Sequence, residues 1–308
     1  MAVSTIDRFF VFRHDLASRA AALAFTSNLA LMVLKLTVGT ITGSLAVLSD
    51  GIDSAEDAIA STFVFFSIRL SNQPADEQHP YGHGKAESIA AALQGLLIAG
   101  GAAFIIVRAV QRLMESDTNI ETTPGLIALS ITAAVNAGVL LYVSRAAKIT
   151  GSMALRADTR HLWTNVAQAA VVFCALALVA ITGNTIFDPL MALALAVYLL
   201  WIAGNVLMES LSEIMDSRLP ADEEQVIEDC LSANAAVRSH HGLRTRKAGR
   251  ERYIDVHIAV DAHQTVETAH TLSDELATSI QGKLPGAIVT IHLEPHDGHA
   301  HSADVALS

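Results

Sequence analysis

Leu48-Ser49-Asp50-Gly51-Ile52-Asp53-Ser54-Ala55-Glu56-Asp57-Ala58 places acids inside a stretch that is otherwise apolar enough to cross a bilayer. Asp53 and Asp57 stand at i and i+4, one helical turn apart, and project from one face. On an insertion scale a mid-membrane Asp costs roughly 2.5–3.5 kcal/mol and a Leu or Val returns only about 0.3–0.6, so each carboxylate offsets about six apolar residues. Acids kept at that cost imply a cation that binds them. Asp50 continues the stripe three residues earlier, as a water-facing residue at a cavity mouth or a minor ligand.

A later apolar segment carries His161-Leu162-Trp163-Thr164-Asn165, in which His161 and Asn165 repeat the i, i+4 spacing. The carboxylates of Asp53 and Asp57, the imidazole of His161 and the amide oxygen of Asn165 make a mixed oxygen and nitrogen donor set. Between neighbouring helices such a set suits a divalent transition metal.

The composition agrees with a membrane setting. The chain has 308 residues, 52% hydrophobic and 17% charged, with a positive mean hydropathy of 0.41, too apolar for one soluble domain. Of the net charge of −11, −9 lies between Glu209 and Ser308, which marks the last third as a separate, acidic, soluble unit and argues against a nucleic-acid partner. Cys174 and Cys230 have no paired spacing and are expected to be free. Met1 to Ser18 lacks the order of a cleaved signal, so the first span is expected to stay.

Six windows are long and apolar enough to span: Ala20–Thr40, Leu45–Ile68, Ser88–Leu113, Pro124–Ser144, His161–Ile181 and Ile186–Met208. The connections after the first, third and fifth contain no Lys or Arg, whereas the N-terminus, Arg69–Glu87 and Arg145–Arg160 are basic, which puts both termini in the cytoplasm of a multi-pass protein of the inner (plasma) membrane. Gly95, Gly100 and Gly101 in the third span, and Ala192, Ala194 and Ala196 in the sixth, suit close helix contacts. Lys35 is read as snorkelling to the outer end of its span, and Asp158 as an N-cap for the fifth.

After Pro220 the pattern becomes helix Ala221–Ser232, strands Gly242–Arg246 and Arg252–Val260, helix Thr265–Gln281 and strand Ile288–Leu293. The expected architecture is therefore an α-helical membrane protein with six transmembrane helices and a small α+β domain of order α-β-β-α-β. Residues 1–19 are a cytoplasmic N-terminal segment, 20–208 the membrane domain, 209–295 a cytoplasmic dimerisation and metal-binding domain, and 296–308 a flexible tail containing histidines.

The acidic pair, the loop from Gln73 to Glu87 (QPADEQHPYGHGKAE), the stretch Arg156-Ala157-Asp158-Thr159-Arg160-His161 and Leu243-Arg244-Thr245-Arg246 together resemble the cation diffusion facilitator family, most closely its bacterial zinc and ferrous-iron efflux branch. The resemblance covers nearly the whole chain. It implies a proton-coupled exporter of divalent metal, not an enzyme, acting as a homodimer with a ferredoxin-like cytoplasmic domain. Its transport ligands fall on Asp53, Asp57, His161 and Asn165, the last where this branch usually has Asp. With an amide there, the empty site carries about −2 rather than −3.

The resemblance also implies a loop metal site at Asp76, His79 and His83. It further implies a cytoplasmic zinc cluster at His241, His257 and His292, with Glu294 where Asp is usual and His270 from the second helix of the domain. A loop whose turn is set by Pro80, Gly82 and Gly84, with histidines that only hydrogen-bond, is the simpler alternative. Lys85 and Asp216 match the family's charge interlock, or are an ordinary solvated pair and a helix end. Zinc and ferrous iron rank first as cargo, zinc is the expected structural ion, and cobalt, cadmium and manganese stay open. Two other classes also stay open: a non-transporting metal sensor or scaffold, and a membrane metallo-hydrolase without an evident nucleophile.

Overall fold

None of the seven prolines falls beyond the first turn of a helix, and the long apolar runs between them fold as uninterrupted helices. In the computed structural model these are α1 (Thr5–Thr42), α2 (Leu45–Ser71), α3 (Lys85–Met114), α4 (Thr123–Thr150), α5 (Met153–Thr182) and α6 (Phe187–Ile214). The structure describes residues 5–42, 45–114, 123–184 and 186–296, and at some helix positions, Asp50 and Asp53 among them, only the backbone. The chain divides into two compact units, Met1–Leu211 and Ser212–Ser308.

In the first unit α5 is the central element. It contributes Leu155 and Leu162 to a cluster with Ala17, Ala20, Ala21 and Ala24 of α1, Val64 and Ile68 of α2, and Val143 of α4. It contributes Met153 and Ala157 to a second cluster with Ala91 and Ala102 of α3 and Ala203 and Val206 of α6. Alanines at these contacts let the helices approach closely, while Phe66, Leu141 and Trp201 are exposed on the outside of the bundle. Gly95 is a true close contact, since a Cβ there would meet Leu207 Cγ at 2.9 Å; Gly100 and Gly101 face open space, contrary to expectation.

Among the described residues four stretches are long and apolar enough to cross a membrane, Leu16–Val38, Lys85–Gln111, Ser130–Thr150 and Pro189–Ile214. α2 falls short because it holds the acids of the opening motif, whereas the part of α5 after His161 holds no Asp, Glu, Lys or Arg. α5 also starts well before the expected His161. Ser152 caps it, its Oγ accepting the Leu155 N–H at 3.3 Å, so Asp158 lies within the helix and is not its N-cap.

The second unit contains α7 (Ala221–Ser232), β1 (Ser239–Ala248), β2 (Glu251–Asp261), α8 (Val266–Lys283) and β3 (Ala287–His296). Its sheet has the order β1-β2-β3, β1 antiparallel to β2 and β2 parallel to β3. Period-2 alternation sends Ile254, Val256, Ile258 and Val260 to one face, where they pack with Ile227 and Leu231 of α7 and Leu272, Leu276 and Ile280 of α8. Asp255 and His257 therefore project from the opposite face. Residues 297–308, with His299 and His301, lie outside the described residues.

Candidate functional site

The polar residues of α2 and α5 meet at one carboxylate. His161 Nε2 lies 2.8 Å from Asp57 Oδ1, and Asn165 Nδ2 donates to Asp57 Oδ2 at 3.0 Å. The i, i+4 spacing on α5 thus brings two side chains to the two oxygens of one acid. Asn28 of α1 donates to the Asp57 carbonyl at 3.3 Å, tying a third helix to the site. The side chain of Asp53 lies outside the described residues; its backbone is one turn before Asp57 in α2.

A cavity of about 200 Å³ opens beside this group, lined by Lys35, Asp57, Asn136, His161 and Asn165 among others. Lys35 does not snorkel. It is 5% exposed, and its Nζ donates to Ser54 Oγ at 2.9 Å, which places its amino group in the cavity wall. Nε2 and Oδ1 are the atoms that would hold an ion here, and they would move apart from hydrogen-bond distance to do so.

In the loop between α2 and α3, Asp76 Oδ1 accepts the backbone N–H groups of Gln78 at 2.9 Å and His79 at 2.6 Å, which closes the turn. These bonds, with His79 N–H foremost, hold the Asp76 carboxyl below its ordinary range. His79 Nδ1 lies 3.2 Å from Asp76 Oδ1 and His83 Nε2 3.5 Å from Oδ2. Asp76, His79 and His83 are close enough together to hold one ion.

On the open face of the sheet, strand register sets a row. His241 pairs with His257 across β1 and β2, and His257 with His292 across β2 and β3, so the rings lie side by side with centroids 5.1 and 4.7 Å apart. Glu294, two residues along β3 from His292, takes His257 Nδ1 at 2.8 Å, with His241 Nε2 at 3.5 Å and His292 Nε2 at 3.7 Å. The His257 bond, then the nearby imidazoles, hold the Glu294 carboxyl below its ordinary range. His241, His257 and Glu294 can share one ion. His270 does not join them: it is on α8, which packs against the other face of the sheet, and it pairs with Asp274 at 3.6 Å.

Gly242 makes the row possible. Its φ of 61° is left-handed, and a Cβ there would lie 3.3 Å from His257 Cδ2. Asp216, also left-handed at φ 59°, ends α6 and pairs with Arg246 at 3.3 Å.

The family model for the cation efflux transmembrane domain matches residues 21–215, and that for the cation efflux protein cytoplasmic domain matches residues 219–296. The chain belongs to the cation efflux family. An uncharacterized transporter of Synechocystis sp., sll1263, is 38% identical over 91% of this chain and 91% of its own length. The cation-efflux pump FieF of Serratia proteamaculans is 36% identical over 90% of this chain and 92% of its own. Among solved structures, the metal-bound C-terminal domain of the CzcD transporter from Thermotoga maritima is 29% identical, covering 24% of this chain and 87% of that one, with a TM-score of 0.24.

A cation-efflux membrane domain followed by a cytoplasmic domain of helices and a small sheet is thus the architecture of this chain, and its relatives are transporters, not enzymes. Sequence reasoning missed three polar side chains of the membrane domain, Asn28, Asn136 and Gln94, each 1% exposed, and misread Lys35. A polar residue alone in an apolar span was the signal available for each. It also passed over Glu87, which is fully buried and accepts hydroxyl bonds from Ser71 and Ser152.

Proposed function

We propose that this cation efflux protein exports a divalent metal ion, zinc or ferrous iron foremost, in exchange for protons. The observation that carries the reading is the convergence of His161 and Asn165 on Asp57 beside a cavity within the helical bundle. Six helices cross the inner membrane, α2 and α5 with their charged faces turned inward, and both termini are cytoplasmic. The basic residues Arg69, Lys85, Arg145, Lys148, Arg156 and Arg160 at one side of the bundle support that orientation.

The cargo exchanges water for Asp53, Asp57, His161 and Asn165. An imidazole that takes a proton loses the lone pair that binds metal, so protonation of His161 from the outer side expels the ion, and Asp57 then holds the imidazolium by the contact described above. The FieF pumps, named for cation efflux, support the direction of transport. The loop site at Asp76, His79 and His83 and the sheet site at His241, His257, His292 and Glu294 bind further zinc. The second joins two protomers as a homodimer through the cytoplasmic domain, a reading that the dimer named in that domain's family supports.

Uptake into proteoliposomes that hold a metal-reporting dye tests this, with zinc, ferrous iron, cobalt, manganese and cadmium each offered with and without a pH gradient. Gradient-dependent uptake that Asp57→Ala abolishes is expected, and its rates rank the metals. No uptake of any ion, with wild type equal to the Asp57→Ala blank, would leave a protein that binds metal without moving it.

A further inference from the structure

Asp158 of α5 and Gln94 of α3 face each other with one hydrogen bond where their chemistry permits two. Both side chains are shut away from solvent, at 0% and 1% exposure. Gln94 Nε2 donates to Asp158 Oδ1 at 3.2 Å. The remaining atoms, Asp158 Oδ2 and Gln94 Oε1, are buried without a hydrogen-bond partner among the described residues, and both are acceptors when the acid is ionised.

An ionised Asp158 would be a carboxylate removed from water with a single neutral donor, a state that desolvation strongly disfavours. One proton on Oδ2 changes the count. The O–H becomes a donor, and a carboxylic acid facing a primary amide closes a reciprocal pair: amide N–H to Oδ1, acid O–H to Oε1. Both orphaned atoms are then satisfied together. Turning the amide over leaves the requirement in place, because Oε1 would then face a carboxylate oxygen.

The cationic groups of the same helix are engaged elsewhere. Arg156 and Arg160 both bind Glu209 of α6 at 2.7 Å, and His161 binds Asp57 of α2. Glu87 of α3 is a second buried acid that takes its bonds from Ser71 and Ser152. Among the described residues, the titratable groups that act on Asp158 from a distance are His161 on its own helix and Asp57 on α2.

We infer that Asp158, held by Gln94 as a neutral carboxylic acid, is a proton-carrying residue of the transport cycle separate from the metal ligands. His161 lies at i+3, so Asp158 is one turn from the metal-binding end of α5. A divalent cation at Asp57 and His161 adds positive charge there and favours the ionised acid. The O–H bond of Oδ2 then breaks, its electron pair stays on the carboxylate and its proton passes to water; release of the metal reverses the step. The coupling half of this inference rests on the antiport reading, and the stored proton does not.

Infrared spectroscopy of the full chain in proteoliposomes at neutral pH tests both halves, with wild type, Asp158→Asn and Gln94→Ala. Asn at position 158 can give N–H to Gln94 Oε1 and keep both bonds, so that variant is expected to keep the wild-type melting temperature. Wild type is expected to show a carboxylic-acid C=O band that Asp158→Asn lacks and Gln94→Ala shifts; the shift assigns the band should Asp158→Asn fail to reconstitute. Zinc should diminish that band, and a pH dye should show fewer protons released per zinc ion in Asp158→Asn than in wild type.

A wild-type spectrum with no acid band that either variant alters overturns the stored proton. Equal proton release from wild type and Asp158→Asn overturns its part in coupling. Zinc uptake by wild type with no proton release removes the antiport reading and the coupling with it, while the infrared band still decides the protonation of Asp158.

Discussion

His161 Nε2 rests 2.8 Å from Asp57 Oδ1, while its other ring nitrogen, Nδ1, is buried without a hydrogen-bond partner among the described residues. The contact joins α5 to α2 at two residues that line the cavity, so whatever comes between them acts on the packing of two helices at once.

Asn165 sets a neutral amide against Asp57 Oδ2, where an acid would add a charge to the site. Asn165→Asp should tighten zinc binding roughly tenfold, the scale of one charged donor replacing a neutral one, and slow release, so that transport at saturating zinc falls. Competition titration with a zinc chelator and single-turnover efflux measure the two effects.

Gly242→Ala should disorder the histidine row. A side chain at φ 61° costs about 1–2 kcal/mol, and the new Cβ presses on the His257 ring at 3.3 Å. Thermal unfolding of the full chain should show a less stable cytoplasmic domain and a smaller stabilisation by added zinc than in wild type.

The loop site can be separated from its turn. Asp76→Asn keeps an oxygen for the Gln78 and His79 N–H groups but removes the charge, whereas Asp76→Ala removes both. Equilibrium dialysis should show both variants binding less zinc than wild type, and only Asp76→Ala should become more sensitive to protease between α2 and α3.

Arg252 and Glu223 form a two-bond pair at 2.7 and 2.6 Å, and the Arg252 bond holds the Glu223 carboxyl below its ordinary range. A carboxyl depressed on folding adds stability above its unfolded pKa of about 4.3 and loses it as pH falls through the folded value. Arg252→Ala should therefore cost about 2 kcal/mol at pH 7, and the gap from wild type should narrow below about pH 4. Chemical unfolding of the two proteins across that range measures it.

What was legible in the sequence followed from periodicity and from polar residues out of place. The strands announced themselves by alternation, and their order α-β-β-α-β matches the element order found. Asp57, His161 and Asn165 stood out because each interrupts an apolar run with helical spacing. The start of α5 did not, because Arg156, Asp158 and Arg160 look like a loop until Glu209 and Gln94, distant in sequence, are seen to meet them. His270 was misplaced for a related reason: sequence spacing does not say which face of a sheet a helix covers. Lys35 looked like a residue reaching for the outer interface because its partner Ser54 lies on another helix.

The most direct test of the account is the internal pH of proteoliposomes, read with a trapped dye, as zinc is supplied on the side of the cytoplasmic domain. Zinc entering should drive protons out in wild type, and His161→Ala and Asp57→Ala should lose that movement together with zinc uptake. Zinc uptake with no change of internal pH, or proton movement that survives in Asp57→Ala, would contradict it.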